Sequence, residues 1–101
     1  MEVFDLKSMK TYSYDEREKN VFYKTKEFKT RIIELPAEGK MPECKMDSYV
    51  IFNFIYGEAE ITVDNKTVTI KEGQCLISEP ATLSMVTKTG VKIMGTQIDK
   101  K

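Results

Sequence analysis

From Ala59 onward the chain runs as short alternating stretches separated by turn residues, and that pattern commits it to β-structure. Ala59, Ile61 and Val63 alternate with Glu58, Glu60 and Thr62, the period of two that marks a half-buried strand. Asp64-Asn65 follows with two side chains that tolerate positive φ, so residues 66–71 are expected to return as a hairpin with Val68 and Ile70 on the apolar face. Glu72-Gly73 turns the chain into a short strand over residues 74–78. Pro80 ends that strand, because proline cannot donate to a ladder. Residues 82–88 and 91–98 are expected to form a last pair around Thr89-Gly90. Upstream, residues 27–35 read as a strand, the stretch from Pro36 through Gly39 to Pro42 as a loop, and residues 21–23 as a pairing or irregular edge. Short strands with glycine and proline turns favour an all-β barrel or sandwich.

At 101 residues the chain suits one domain, which should bury roughly two-thirds of its unfolded surface. The expected organisation is an N-terminal segment over residues 1–20, packing on the barrel or on a dimer partner, and a barrel domain over residues 21–101. Sixteen basic residues balance sixteen acidic ones, so no overall field draws the protein to nucleic acid or to an anionic membrane. Tyr12, Tyr14, Phe22 and Tyr23 lie near Lys24, Lys26, Lys29 and Arg31, but Asp15, Glu16, Glu18 and Glu27 cancel the positive groove that a single-strand binder needs. The run Asp15-Glu16-Arg17-Glu18-Lys19 reads as a solvated turn. The first residues lack the apolar run and cleavage site of a signal peptide, and no stretch approaches the roughly 20 apolar residues of a membrane span. A cytoplasmic location is expected, with Cys44 and Cys75 as reduced thiols.

One strand departs from the alternation. Residues 49–56, Tyr-Val-Ile-Phe-Asn-Phe-Ile-Tyr, are apolar on both faces, with Asn53 the strongly polar exception. One face should fill the barrel and the other must be covered. An open apolar patch is unusual on a soluble monomer, so a symmetric homodimer is expected.

The run from Phe54 through Gly57 to Val63, followed by Ile70-Lys71-Glu72-Gly73-Gln74, resembles the small single-domain cupins. The resemblance extends over nearly the whole chain and implies a double-stranded β-helix, or jelly-roll, barrel. Members of that superfamily carry G-x5-H-x-H-x3,4-E-x6-G and then, across a hairpin, G-x5-P-x-G-x2-H-x3-N. The glycines carry over onto Gly57 and Gly73; the ligands do not. Counting back from Gly57 puts the glutamate place on Val50 and the histidine places on Met46 and Cys44. Counting forward from Gly73 puts the last histidine place on Ser84 and the proline place on Glu79, with Pro80 one residue late. A one-residue slip before Cys44 would bring Lys45 and Asp47 to those places instead. In neither register is there an imidazole, because the chain has no histidine. The resemblance thus implies a degenerate site without the usual iron, manganese, nickel or zinc, which take imidazole and carboxylate ligands. The histidine base of the metal-free sugar epimerases is missing too. No cofactor is expected.

The residues leave several chemistries open. Cys44 and Met46 offer soft sulfur donors suited to Cu(I), with Cys75 as a conceivable third, or they fill irregular apolar space. Lys45 beside Cys44 would favour its thiolate, yet no histidine serves as base; Cys75, beside Leu76 and Ile77, reads as core. Glu58 and Glu60 share one strand face and point to solvent. Barrel mouths hold ligands in apolar cavities with a few polar groups. Candidate ligand-binding residues are Cys44, Met46, Val50, Phe52, Phe54, Ser84 and Met85. Asn53 and Tyr49 are further polar candidates, although strand parity forbids Asn53 and Phe52 from both facing inward. The function expected is small-molecule binding in the barrel mouth. Its rivals are an enzyme using Cys44, with or without a soft metal, and a structural or partner-binding barrel filled by its own side chains.

Overall fold

The structure, a computed structural model, describes residues 1–99; Lys100 and Lys101, the end of the expected barrel domain, lie outside the described residues. A 3-10 segment over Tyr14–Asn20 precedes nine strands: β1 Val21–Lys24, β2 Phe28–Leu35, β3 Lys40–Met46, β4 Tyr49–Gly57, β5 Ala59–Val63, β6 Lys66–Ile70, β7 Cys75–Ser78, β8 Ala81–Val86 and β9 Val91–Ile98. They form two antiparallel sheets, ordered β1-β2-β9-β4-β7 and β3-β8-β5-β6.

The hairpin read from Asp64-Asn65 is present, with φ of 45° and 74° at the two residues. Positive φ at both central positions matches the right-handed twist of the flanking strands. Two expectations are corrected. The expected loop ends sooner, because residues 40–42 already belong to β3, which tolerates Pro42 where the register with β8 shifts between Met41 and Cys44 and where β3 is an edge. The chain beyond Gly90 does not fold back on β8. β8 pairs with β3 and β5, whereas β9 pairs with β2 and β4, so the turn at Thr89-Gly90 crosses from one sheet to the other.

Strand parity then builds the core. Ile33, Leu35, Val50, Phe52, Phe54, Val91 and Ile93 face inward from one sheet, and Met41, Ala59, Ile61, Ile70, Leu83 and Met85 meet them from the other. Val68, opposite Ile61, shares that inner face but stands on edge strand β6, where it is exposed.

The opposite face of the five-stranded sheet is partly covered by the chain's own N-terminal segment. Ile32 is fully buried outside the main core. Lys92 Nζ donates to the carbonyls of Lys7 at 2.8 Å and Met9 at 3.0 Å. Thr11 Oγ1 and Tyr56 Oη both donate to the Glu34 carboxylate. Those two hydrogen bonds, Thr11's first, hold the Glu34 carboxyl below its ordinary value of 4.5, with Lys92 adding a smaller push in the same direction. The same contact with Glu34 raises the Tyr56 phenol. A depressed carboxylate stabilises the fold fully above its unfolded value, and that contribution is lost as pH falls through the folded value. Thermal melts of the wild type are therefore expected to drop from about pH 5 to about pH 3 more steeply than those of Glu34→Gln. Parallel curves would show that Glu34 carries no such linkage.

Candidate functional site

At one end of the barrel, under the Tyr14–Asn20 segment, lies a cavity of about 220 Å3. Its floor is apolar, made by Ile33, Met41, Val50, Phe52 and Leu83, and Gly95 leaves the space that a side chain would fill. A Cβ on Gly95 would stand 3.1 Å from the Phe52 ring. The rim is a different material: Arg17, Lys29 and Arg31 line it with one carboxylate, Glu18. Arg31 is in phase with Ile33 and Leu35 along β2, so the period of the strand turns its side chain inward. That side chain is only 10% exposed, and its Nη2 donates to Glu18 Oε1 at 3.3 Å. Lys29 Nζ lies 4.0 Å from the same oxygen.

Tyr14 stops the mouth from the N-terminal side and packs on the core. Burial is the main reason its phenol is pushed up, with Cys44 adding to the rise and Arg17 and Arg31 opposing it. Arg17 is held across the Tyr14 ring, 4.5 Å from its centroid, and donates to the Tyr14 carbonyl at 3.2 Å. Gln97 reaches the cavity from β9. Its amide nitrogen lies 3.8 Å from Met46 Sδ, and its Oε1 is buried without a hydrogen-bond partner. A buried acceptor left unpaired costs on the order of 1–3 kcal/mol.

Four of the expected residues, Cys44, Met46, Val50 and Phe52, come together at this cavity. Cys44 Sγ and Met46 Sδ are 3.6 Å apart. Lys45 and Asp47 are exposed, and neither lines this cavity. Phe54 and Met85 are buried core residues beyond the cavity lining. Ser84 is turned away: its neighbours Leu83 and Met85 are the buried pair, and Ser84 stands opposite Thr62 on the outer face. Asn53 is likewise outward, level with Met94 and Cys75, while Phe52 faces in. Tyr49 is exposed at the start of β4. Cys75 is exposed rather than core, because Leu76 takes the inward place opposite Phe52. It therefore supplies no third sulfur to Cys44 and Met46. The charge run at residues 15–19 is more than solvated surface, since Arg17 and Glu18 form the cavity rim. Arg31 and Lys29 are discoverable from their phase with Ile33 and Leu35; nothing local marks Gln97 or Tyr14.

No protein-family model matches the chain, and no curated protein matches it in sequence. Solved structures do match. An uncharacterized conserved Klebsiella pneumoniae protein with a double-stranded β-helix domain superposes with a TM-score of 0.84 at 14% identity, covering 97% of this chain and 90% of that one. The fold is that of a cupin. The cupin domain of Cnp3 from Schizosaccharomyces pombe gives a TM-score of 0.72 at 21% identity, over 79% of this chain and 61% of that chain. An RmlC-like cupin family protein from Methanocaldococcus jannaschii gives 0.71 at 19% identity, over 79% of this chain and 77% of its own.

Of the four places that the sequence resemblance assigns to metal ligands, Cys44, Met46 and Val50 line the cavity and Ser84 does not. The donor set does not fit the metals that the sequence resemblance implies. A thiol, a thioether and an isopropyl group supply no imidazole or carboxylate for iron, manganese, nickel or zinc. Among the described residues no three Cys, Asp or Glu side chains cluster as metal ligands.

Proposed function

We propose that this cupin-fold protein binds a small organic molecule at the barrel mouth, as a binding protein rather than a catalyst. The observation that carries the reading is the cavity itself: an apolar floor with a polar rim, lined in part by Gln97, whose Oε1 is buried and unpaired. A barrel filled by its own side chains would leave no such space. About 220 Å3 is below the roughly 300–1,000 Å3 of drug-sized sites. It holds the equivalent of about seven waters at roughly 30 Å3 each, so the ligand is a metabolite-sized fragment. NMR titration of labelled protein with short aliphatic acids, amides and alcohols tests this. Shifts are expected at the amides of Val50, Phe52, Leu83 and Gly95; unchanged spectra with every compound would favour the closed structural barrel.

A second reading rests on the sulfur pair. Cys44 Sγ and Met46 Sδ at 3.6 Å are soft donors for Cu(I). Elemental analysis of untagged protein, purified without chelator, would find stoichiometric copper if that reading holds and none if the cavity serves organic ligands alone.

The protein is further proposed to work in the cytoplasm as a homodimer, with a second copy covering the outer face of the five-stranded sheet. Ile77 is 71% exposed there, opposite the half-buried Ile51. Light scattering is expected to report a dimer for the wild type and a monomer for Ile77→Lys; a monomeric wild type removes the proposal.

A further inference from the structure

We infer that the ligand is an organic acid, an apolar body carrying one carboxylate, and that Glu18 occupies the carboxylate's place until the ligand arrives. The inference deepens the small-molecule reading above and rests on it. Three observations converge. The cavity is lined by three cationic side chains and one carboxylate, in a chain whose net charge is zero. That excess is local and comes from β2 and the Tyr14–Asn20 segment. Arg31 is nine-tenths buried, yet its one carboxylate partner among the described residues is Glu18, whose side chain is 75% exposed. A guanidinium has five N–H donors in a planar fork suited to a carboxylate held by two parallel bonds. A single 3.3 Å contact from a largely solvated partner leaves most of that capacity unused.

The same geometry says what the rest of the ligand is. Behind Arg31 the walls are Ile33, Val50, Phe52 and Leu83, which reward hydrocarbon and reject a second charge. On the side of Lys29 the cavity adjoins a recess in which Asp47 and Asp99 are matched by Lys24 and Lys29. The acid group is therefore assigned to Arg31, the buried cation at the apolar floor, with Arg17 also on the rim. Gln97 Oε1, buried and unpaired, is available to accept from a hydroxyl or N–H on the ligand body. Glu18 is the intramolecular stand-in: it meets Arg31 and Lys29 with the same chemical group. Because it comes from the exposed surface of a short segment, it can swing into water when displaced.

Isosteric probes separate charge from shape. Pentanoate and pentanamide differ in the charged head and share the hydrocarbon tail. Calorimetric titration of the wild type is expected to show pentanoate binding at least about tenfold more tightly than pentanamide, the scale of one charge-assisted hydrogen-bond pair. Arg31→Met should erase that preference, bringing pentanoate down to the level of pentanamide. Glu18→Gln, a surface change that keeps the fold, should tighten pentanoate several-fold and pentanamide by less. Equal binding of the two probes to the wild type would overturn the acid assignment and leave the small-molecule site standing. Binding of neither by folded wild-type protein would remove the site reading and this inference together. Inorganic phosphate competing as well as pentanoate would overturn the apolar body, since phosphate has none.

Discussion

Gly57→Ala is expected to cost about 4 kcal/mol and to lower Tm by more than about 15 °C. The residue closes β4 with φ of +80°, a conformation in which a side chain is strained. Strain alone would make the change mild. The larger cost is steric: an added Cβ would lie 2.2 Å from the Gly90 carbonyl oxygen and 2.9 Å from the Val91 Cα. Both obstacles are backbone, and Val91 is fully buried and paired with Gly57 across the β4–β9 ladder. Neither can rotate aside, so the end of β4 must leave β9. Gly73 supplies the control. Its φ is +82°, and a Cβ added there would meet nothing within 4 Å. Gly73→Ala should therefore show the conformational strain by itself, roughly 1 kcal/mol. Equal melting temperatures for the two variants would contradict the close approach of Gly57 to Gly90.

Phe52→Ala is expected to cost about 3–5 kcal/mol and to change what the cavity accepts. Phe52 is 4% exposed, spans both the core cluster and the cavity floor, and lies against Gly95, where no side chain can replace it. Truncation removes the transfer free energy of the ring and leaves a void that strands locked in two ladders cannot collapse into. Because that void opens onto the existing cavity, benzene is expected to restore more of the lost Tm in the variant than it adds to the wild type. Apolar cavities stay dry and take such molecules. Phe54→Ala is the comparison: equally buried at 3% but away from the cavity lining, it should be similarly destabilised without the same benzene rescue. A Phe52→Ala variant that gains no more from benzene than Phe54→Ala would argue that Phe52 does not separate the cavity from the core.

The cavity can be anticipated in part. Val50 and Phe52 are visible as one face of a two-faced apolar strand, and Cys44 and Met46 as the places of absent histidines. Ser84 fails because its place is counted along a motif, whereas its direction is fixed by the parity of Leu83 and Met85. Cys75 resembles core because Leu76 and Ile77 flank it, but alternate residues of an edge strand face opposite sides. β3 is hidden by Pro42 and by its lysines and glutamate, which suit an edge and disguise a strand.

What depends on neighbours along the chain is legible before any folding is considered. Alternation from Ala59 to Val63, two positive-φ residues at Asp64-Asn65, and turn glycines at Gly57 and Gly73 act over a few residues, so each can be read in place. The Tyr14–Asn20 segment over the barrel mouth, β8 and β9 in different sheets, and Arg31 meeting Glu18 above an apolar floor emerge in the folded chain alone. Those are contacts between residues far apart in sequence or on separate elements. They are selected by which packing of the whole chain buries the most apolar surface while pairing its backbone, a sum that no local window contains.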